Sequence, residues 1–261
     1  MTIFADLHAG PDLLILPNAW DAGSARVIET AGAKAIATSS AAVAWAHGYP
    51  DGEALPFDVL LATVREIVRV VSVPVTADIE AAYSTSGAEA AERVAQVMEA
   101  GAVGINIEDG KGAPDLLCGK IAAIKAKAGD RIWINARTDV YLQKLAEGEA
   151  AYDETVTRAK RYRGAGADSV FVPGAAEDGL IVRLVRAIDA PLNLLAWPDL
   201  PSAARLKEIG VRRLSAGTGV AKTSLDHTFA LTRDFLAEGR SAPLMGASPI
   251  PGNMNALMRR S

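Results

Sequence analysis

Acidic side chains end neighbouring predicted strands of this sequence. Asp78 and Glu80 close one strand and Glu108 closes the next. Residues two apart in an extended strand point to the same face, so Asp78 and Glu80 are predicted to face one site together. Carboxylates that converge repel one another unless a cation neutralises them, and oxygen-only ligands favour Mg²⁺ or Mn²⁺. The sequence therefore predicts a site for a divalent metal ion.

Arg137 lies beside these acids, on the strand that follows. Its planar guanidinium can bind a carboxylate or a phosphonate at two points, which makes it a candidate for binding an anionic substrate. Each residue also has a simpler interpretation. A single acid after a strand is often a helix N-cap or a solvated charge, and Arg137 can form a local ion pair with Asp139. Their combination on adjacent strands favours the functional interpretation.

Other active-site chemistries find less support. No predicted strand ends in lysine, which disfavours a Schiff-base aldolase, and none ends in histidine, which disfavours a zinc amidohydrolase. Cys118 is the only cysteine, so an internal disulfide is excluded. Pro114 and Asp115 predict the start of a helix, and Leu117 and Ile121 recur at helical spacing. Cys118 is therefore predicted to be a helix residue rather than a catalyst.

Strands that end at one rim are needed to bring these side chains together. Short β-branched runs alternate with alanine-rich amphipathic stretches, which is the pattern of repeated βα units around a parallel sheet. Eight strands are predicted, at residues 13–16, 34–38, 73–78, 103–107, 132–136, 169–172, 192–195 and 213–216. This pattern favours a closed (β/α)8 barrel, the α/β TIM barrel, although it also fits an open doubly wound sheet. Active sites of such barrels lie at the carboxyl ends of the strands, where the acids are predicted.

Composition limits the class of partner. With 261 residues, 50% hydrophobic and 22% charged, the chain is predicted to form a single domain over residues 1–261. A formal net charge of -4 without a basic tract argues against nucleic-acid and membrane partners. The absence of a signal-peptide pattern or a long apolar run predicts a cytoplasmic location. Residues 241–261 are predicted to be a C-terminal extension with a short helix at 254–258, packing on another surface such as a neighbouring subunit.

The ordered motifs resemble the isocitrate lyase and phosphoenolpyruvate mutase superfamily over about residues 10 to 220. They are Asn18-Ala19-Trp20-Asp21-Ala22-Gly23-Ser24-Ala25, Thr38-Ser39-Ser40, Gly48-Tyr49-Pro50-Asp51, Ala77-Asp78-Ile79-Glu80, Asn106-Ile107-Glu108-Asp109, Asn135-Ala136-Arg137-Thr138-Asp139 and Phe171-Val172-Pro173-Gly174. The resemblance implies a (β/α)8 barrel that breaks or makes C–C or P–C bonds of a small α-keto or α-hydroxy acid through a pyruvate-type enolate. It also implies homodimers or homotetramers that exchange the last helix, a purpose that the C-terminal extension could serve.

The resemblance assigns metal-binding roles to four acids. Asp78 matches the aspartate that binds Mg²⁺ directly. Asp51, Glu80 and Glu108 match acids that hold the ion largely through water. Glu108 is also a candidate catalytic residue.

Substrate-binding roles follow from the same resemblance. Ser39 and Ser40, with the amide of Ala41, match the turn that binds the substrate carboxylate. Arg137 matches the arginine that stabilises the developing enolate or holds the anionic group, and it is counted as catalytic. Asn193, in the seventh predicted strand, is a further candidate for substrate binding.

One departure from the superfamily pattern bears on the reaction. Lyases of the superfamily carry a mobile loop after the fourth strand with a Lys-Lys-Cys-Gly-His type motif, whose cysteine is the general acid or base. Residues 108–120 here form a much shorter connection, so Tyr83 becomes the candidate proton donor. P–C cleavage, C–C cleavage and decarboxylation all remain open at this point. The alternative is a keto-acid-binding protein that keeps the metal site without turnover.

Overall fold

Nine short strands form one parallel sheet in the computed structural model, which describes residues 3–246, 249–251 and 253–259. The strands are β1 (Leu14–Leu16), β2 (Asn18–Ala19), β3 (Ile36–Thr38), β4 (Val75–Asp78), β5 (Gly104–Glu108), β6 (Trp133–Arg137), β7 (Ser169–Phe171), β8 (Leu192–Leu195) and β9 (Arg213–Ser215). Their order in the sheet follows the chain from β2 to β9 and ends on β1.

Pro17 explains why nine strands make an eight-stranded barrel. It separates β1 from β2 and has no amide hydrogen to donate to a neighbouring strand. On one side of this interruption Leu14 pairs with Arg213, and on the other Asn18 pairs with Ala37. The two short strands thus join the first and last edges of the sheet. The predicted (β/α)8 barrel and all eight predicted strands are confirmed, with ends that move by one or two residues.

Helices connect the strands in the order expected for a barrel. They are α1 (Ile3–Ala9), α2 (Ala22–Thr30), α3 (Ser40–Ala46), α4 (Phe57–Val70), α5 (Gly87–Glu99), α6 (Pro114–Ala128), α7 (Gly148–Ala165), α8 (Asp178–Ala187), α9 (Ala203–Ile209), α10 (Gly219–Glu238) and α11 (Met254–Leu257). Helices α7 and α9 end at Gly166 and Gly210, with φ values of 112° and 103°. Glycine tolerates this left-handed conformation, which closes the end of each helix.

The barrel interior contains buried polar side chains, whereas its amino end is filled by aromatic side chains. Arg213, which is fully buried, donates from Nη2 to Oδ1 of Asn106 over 3.1 Å, on the opposite side of the sheet. At the amino end, α1 closes the barrel with Phe4 and His8. The His8 ring stacks on Trp133 with centroids 4.4 Å apart, and burial lowers the pKa of His8 to about 4. The amino end is therefore a plug, which leaves the carboxyl end for chemistry.

Helix α10 lies largely away from the barrel. Only Ala221 of its twenty residues is buried, whereas Leu225, Phe229 and Leu236 are exposed. Ile15 of β1 is also exposed, beside a groove of about 670 Å³ lined by Leu13, Pro17, Ala33, Ala203 and Ala204 among others. The last helix of a barrel normally covers this edge, so the structure leaves two apolar surfaces uncovered.

The described part of the C-terminal extension returns to the barrel. Its short helix α11 falls inside the predicted range of 254–258, and the carbonyl of Leu257 accepts a hydrogen bond from Nε of Arg26 over 3.0 Å. Arg26 belongs to α2, so the extension rests on the same chain at this point. Across the described residues we find no helix with the length and apolarity needed to cross a membrane.

Candidate active site

Three adjacent strand ends bring the predicted acids and the arginine to one rim. Asp78 ends β4, Glu108 ends β5 and Arg137 ends β6. Glu108 is the register partner of Arg137, and Oε2 of Glu108 lies 2.7 Å from Nη1 of Arg137. Asp139 holds the other side of the guanidinium, accepting from Nε over 2.6 Å and from Nη2 over 3.0 Å. Arg137 is thus fixed between two carboxylates.

Glu80 reaches the rim by a different route from the predicted one. The strand ends at Asp78, and Glu80 adopts a φ of 51°, so strand alternation does not extend to it. Its Oε2 accepts the N–H of Glu53 over 2.7 Å, and Oε1 of Glu53 accepts the N–H of Tyr83 over 2.6 Å. These reciprocal bonds, which we call the Glu53–Glu80 latch, join the loop after α3 to the loop after β4. Glu80 and Tyr83 are brought together, with the phenol oxygen 3.4 Å from Oε1 of Glu80.

The loop after β4 is strained and pinned. Glu80, Ala82 and Tyr83 all have positive φ values, a conformation that costs about 1 to 3 kcal/mol for each residue without glycine's freedom. Lys120 of α6 is buried, and its Nζ donates to the carbonyl of Ala81 over 2.6 Å. The Glu53–Glu80 latch and Lys120 together hold the loop in this conformation.

The rim carries more negative charge than it can neutralise. Burial raises the pKa of Asp78 and of Glu108, and the positive charge of Arg137 opposes that effect in both. Burial, with the charges of Asp78 and Asp51, raises the pKa of Glu80 to about 7. Asp51 is itself exposed but lies close enough to act on both neighbours. A bound cation would remove this repulsion.

The donors fit a hard divalent ion that keeps much of its water. All candidate ligands are carboxylate oxygens, which suits Mg²⁺ or Mn²⁺. Within the described ranges, however, no three acidic, histidine or cysteine side chains are arranged as a ready-made cage. Mg²⁺ usually keeps several waters, so one direct ligand with other acids acting through water matches this arrangement. Asp78 is buried at the strand end, and direct contact of its carboxylate with the ion stays a prediction.

The predicted carboxylate-binding turn lies beside Asp78. Ser39 is the N-cap of α3, and its Oγ accepts the N–H of Ala42 over 3.5 Å. The N–H of Ser40 donates to Oδ2 of Asp78 over 3.4 Å, and Ala41 is buried. The turn and the candidate metal ligand are therefore neighbours.

Asn193 is not joined to this group. It is fully buried, and its Oδ1 accepts from Oγ of Ser215 over 3.3 Å. Its Nδ2 has no hydrogen-bond partner among the described residues. Substrate binding by Asn193 therefore stays a prediction. The side chain of Asn193 contacts Ser215 of β9 inside the barrel rather than the acids at the rim.

Sequence reasoning missed Glu53 and underestimated Asp139. The only signal for Glu53 was its place in the unusually long connection between β3 and α4, since a latch through backbone amides leaves no motif. Asp139 was considered only as a local partner of Arg137, and the structure shows that pairing with both oxygens engaged. Cys118 lies on α6, as predicted, and burial raises the pKa of its thiol.

An acidic rim around one arginine lies at the carboxyl ends of a parallel barrel, which is where barrel enzymes carry their active sites. The family described as phosphoenolpyruvate phosphomutase matches residues 4–236. A crystal structure from Burkholderia cenocepacia J2315 assigned as a phosphonomutase is 39% identical, covers 88% of this chain and 98% of its own, and superposes with a TM-score of 0.84. Oxaloacetate decarboxylase 1 of Pseudomonas fluorescens is 26% identical over 88% of this chain and 83% of its own length.

Membership follows from these matches. The chain belongs to the phosphoenolpyruvate phosphomutase family, within the phosphoenolpyruvate mutase and isocitrate lyase superfamily. Its relatives include lyases, among them the 2-methylisocitrate lyase of Escherichia coli K12, which is 30% identical over 66% of this chain and 61% of its own. The fold also matches phosphonopyruvate hydrolase in complex with oxalate and Mg²⁺, with a TM-score of 0.86 at 23% identity.

Proposed function

We propose that this protein is a Mg²⁺-dependent carbon–carbon lyase that acts on a small α-keto or α-hydroxy diacid, with decarboxylation of an oxaloacetate-type acid as its best-fitting reaction. The carrying observation is the single guanidinium of Arg137 held against Glu108 beside the buried carboxylate of Asp78. A divalent cation bound there would share the rim with the fixed positive charge of Arg137, and a dianionic substrate would meet both.

Each rim residue has a part in holding the substrate. A Mg²⁺ ion bound through Asp78 would act as a Lewis acid that stabilises negative charge on the keto oxygen, an effect worth several kcal/mol. Ser39 and Ser40, with the amide of Ala41, would bind the carboxylate next to the keto group. Arg137, fixed by Glu108 and Asp139, would face the charge that develops in the transition state.

Tyr83 is the proposed proton donor. Burial, with the charges of Glu80 and Glu53, raises the pKa of its phenol, so the phenol keeps its proton at neutral pH. The phenol is therefore a weak acid, which would give its Oη proton only to a strongly basic carbanion at the rim. Cys118 is unsuited to this role because it lies within α6 and packs against the hydrophobic core.

Decarboxylation demands least of these side chains. The bond between the leaving carboxylate and the adjacent carbon breaks, and its electron pair moves toward the keto group to give the enolate of pyruvate. Carbon dioxide departs, and a proton from Tyr83 or water then adds to the carbon. No base has to remove a proton first, so the short connection between β5 and α6 is sufficient. The relatives named oxaloacetate decarboxylase support the same choice.

Product analysis tests this proposal. The protein would be incubated with Mg²⁺ and oxaloacetate, phosphonopyruvate, 2-methylisocitrate or dimethylmalate, and followed by ¹H and ³¹P NMR beside enzyme-free mixtures containing the same Mg²⁺. Enzyme-dependent pyruvate from oxaloacetate, lost in Asp78→Ala and Glu108→Gln, is the expected result. If phosphonopyruvate were the sole substrate turned over, with release of phosphate, the proposal of carbon–carbon cleavage would be wrong and P–C cleavage would take its place. Mg²⁺-dependent ligand binding without any product would favour a keto-acid-binding protein.

We also propose that the enzyme is a homodimer or homotetramer that exchanges α10. The exposed apolar residues of α10 and the uncovered groove beside Ile15 belong to the same edge of the barrel. Seating α10 of one subunit in the groove of another would cover both surfaces at once.

A further inference from the structure

Asp109 is a buried carboxylate directly behind the rim. It follows Glu108, and its side chain is inaccessible to solvent. Its Oδ2 accepts from Nη1 of Arg158 over 2.9 Å and from Oη of Tyr162 over 2.5 Å. Its Oδ1 accepts the backbone N–H of Asp139 over 2.9 Å. Three donors therefore satisfy the two oxygens, and the carboxylate has one defined orientation.

Asp109 grips the end of β6 at two points. Besides binding the N–H of Asp139, it donates its own N–H to the carbonyl of Arg137 over 3.3 Å. The segment that Asp109 binds carries Arg137 and Asp139. The buried carboxylate of Asp139 binds Nε and Nη2 of Arg137, and we call this pair the Arg137–Asp139 clamp. A shift of Asp109 would therefore move both members of the clamp.

Helix α7 supplies the other end of this connection. Arg158 and Tyr162 are four residues apart, so they project from one face of the helix. Arg158 also binds Glu154 through Nε over 2.6 Å, which ties its outer edge to the helix surface. The positive charge of Arg158 offsets the buried negative charge of Asp109, which would be costly alone. If Asp109 served only to join β5 to α7, its bonds to Arg158 and Tyr162 would be sufficient. Its additional bond to the N–H of Asp139 connects the helix to the Arg137–Asp139 clamp.

We propose that Asp109, held by Arg158 and Tyr162, is a positioning residue that fixes the guanidinium of Arg137 for the anionic group of the substrate. The inference rests on the proposed role of Arg137 at the rim. Neither Arg158 nor Tyr162 touches the substrate in this scheme, and both act through Asp109 and Asp139.

Tyr162→Phe is the sharpest test, because it removes one hydroxyl and keeps the buried ring. Tyr152→Phe is the matched control on the same helix, where the ring packs against the guanidinium of Arg183 at 3.8 Å and makes no bond to Asp109. Oxalate binding in saturating Mg²⁺ is measured by calorimetry, and hydrogen exchange of the Arg137 Nε–H is measured by ¹⁵N NMR without metal. Tyr162→Phe is expected to weaken oxalate binding about three- to tenfold and to speed exchange by a similar factor, as for one lost hydrogen bond. Affinity for Mg²⁺ alone and both readouts of Tyr152→Phe are expected to stay at wild-type values.

A double-mutant cycle separates positioning from a general loss of stability. In an Arg137→Met background, Tyr162→Phe is expected to have no further effect on oxalate affinity, because its effect passes through Arg137. An equal loss in both backgrounds, or unchanged Nε–H exchange in Tyr162→Phe, would overturn the inference. Arg158→Met, with Arg161→Met as its control, repeats the test if Tyr162→Phe does not fold. A wild type that binds no oxalate would contradict the proposed function alone, and the exchange measurement would still decide the positioning role.

Discussion

Replacing Glu80 with glutamine should stabilise the metal-free protein and abolish much of its stabilisation by Mg²⁺. Glutamine has the same shape as glutamate, and its side-chain oxygen can still accept the N–H of Glu53 that Glu80 binds at 2.7 Å. The substitution therefore removes a charge and keeps the latch. The charge is unfavourable in the absence of metal, because Glu80 is buried beside Asp78 and near Asp51.

The size of the effect follows from the pKa of Glu80, which the fold raises from 4.5 to about 7. Each pKa unit corresponds to about 1.4 kcal/mol, so full ionisation in the folded state costs about 3 kcal/mol. Below pH 4.5 the carboxyl group is protonated in both folded and unfolded chains, and no cost arises. The cost grows between pH 4.5 and 7, where only the unfolded chain ionises freely, and is complete above pH 7. Glutamine does not ionise, so the free energies of unfolding of the two proteins should diverge over this range.

Urea unfolding in EDTA, followed by circular dichroism at several pH values, measures this divergence. The free energy of unfolding of Glu80→Gln should exceed that of wild type by about 3 kcal/mol at pH 8 and be close to it near pH 4.5. Saturating Mg²⁺ at pH 8 should stabilise wild type more than the variant and narrow the gap. The control is Glu99→Gln, at the exposed end of α5, which should follow wild type throughout. Equal stability at pH 8 in EDTA, or a difference that does not vary with pH, would refute the reasoning.

Three further predictions concern other parts of the molecule. Arg137→Lys cannot bind Asp139 at two points, so steady-state kinetics with oxaloacetate should show kcat/KM lowered about 100-fold, and a value near wild type would contradict the role of the fork. Phe229→Glu should convert the proposed oligomer to monomers in sedimentation analysis, because Phe229 is exposed on α10, and an oligomer that persists in the variant would exclude the proposed exchange. His8→Phe should remove the decrease in stability that wild type shows as the pH falls from 6.5 to 4, because over that range burial keeps folded His8 neutral while the histidine of the unfolded chain takes up a proton. Unfolding curves with equal acid sensitivity would contradict it.

The barrel and its acidic strand ends could be predicted because both depend on local signals. Repeated βα periodicity predicts the order of the elements, and any such barrel brings its strand ends to one rim. Asp78, Glu108 and Arg137 were therefore predictable as neighbours. Asp51 and the Ser39–Ala41 turn could be assigned to the site only through the family resemblance, because a loop without periodicity gives no sequence signal for its position in the fold.

Contacts through backbone atoms and across long separations were not predictable. The Glu53–Glu80 latch depends on left-handed conformations that the sequence does not signal, since the residues concerned are not glycines. The link from Asp109 to Tyr162 spans 53 positions and joins a loop to a helix face that reads as ordinary amphipathic surface. The buried Arg213 was likewise invisible, because an arginine in a strand is normally read as facing solvent.

Two separate effects destabilise the loop after β4, namely electrostatic repulsion and backbone strain, and a bound metal ion would relieve only the first. The electrostatic cost at Glu80 would be relieved by a bound cation, whereas the backbone strain at Ala82 and Tyr83 would remain. That strain is held by the Glu53–Glu80 latch and by Lys120, which are already formed without metal. The loop that carries Tyr83 is therefore organised before ligand arrives. A proton donor on such a loop suits a reaction that needs no closing cysteine-bearing segment, and this connects the short β5–α6 connection to the proposed decarboxylation.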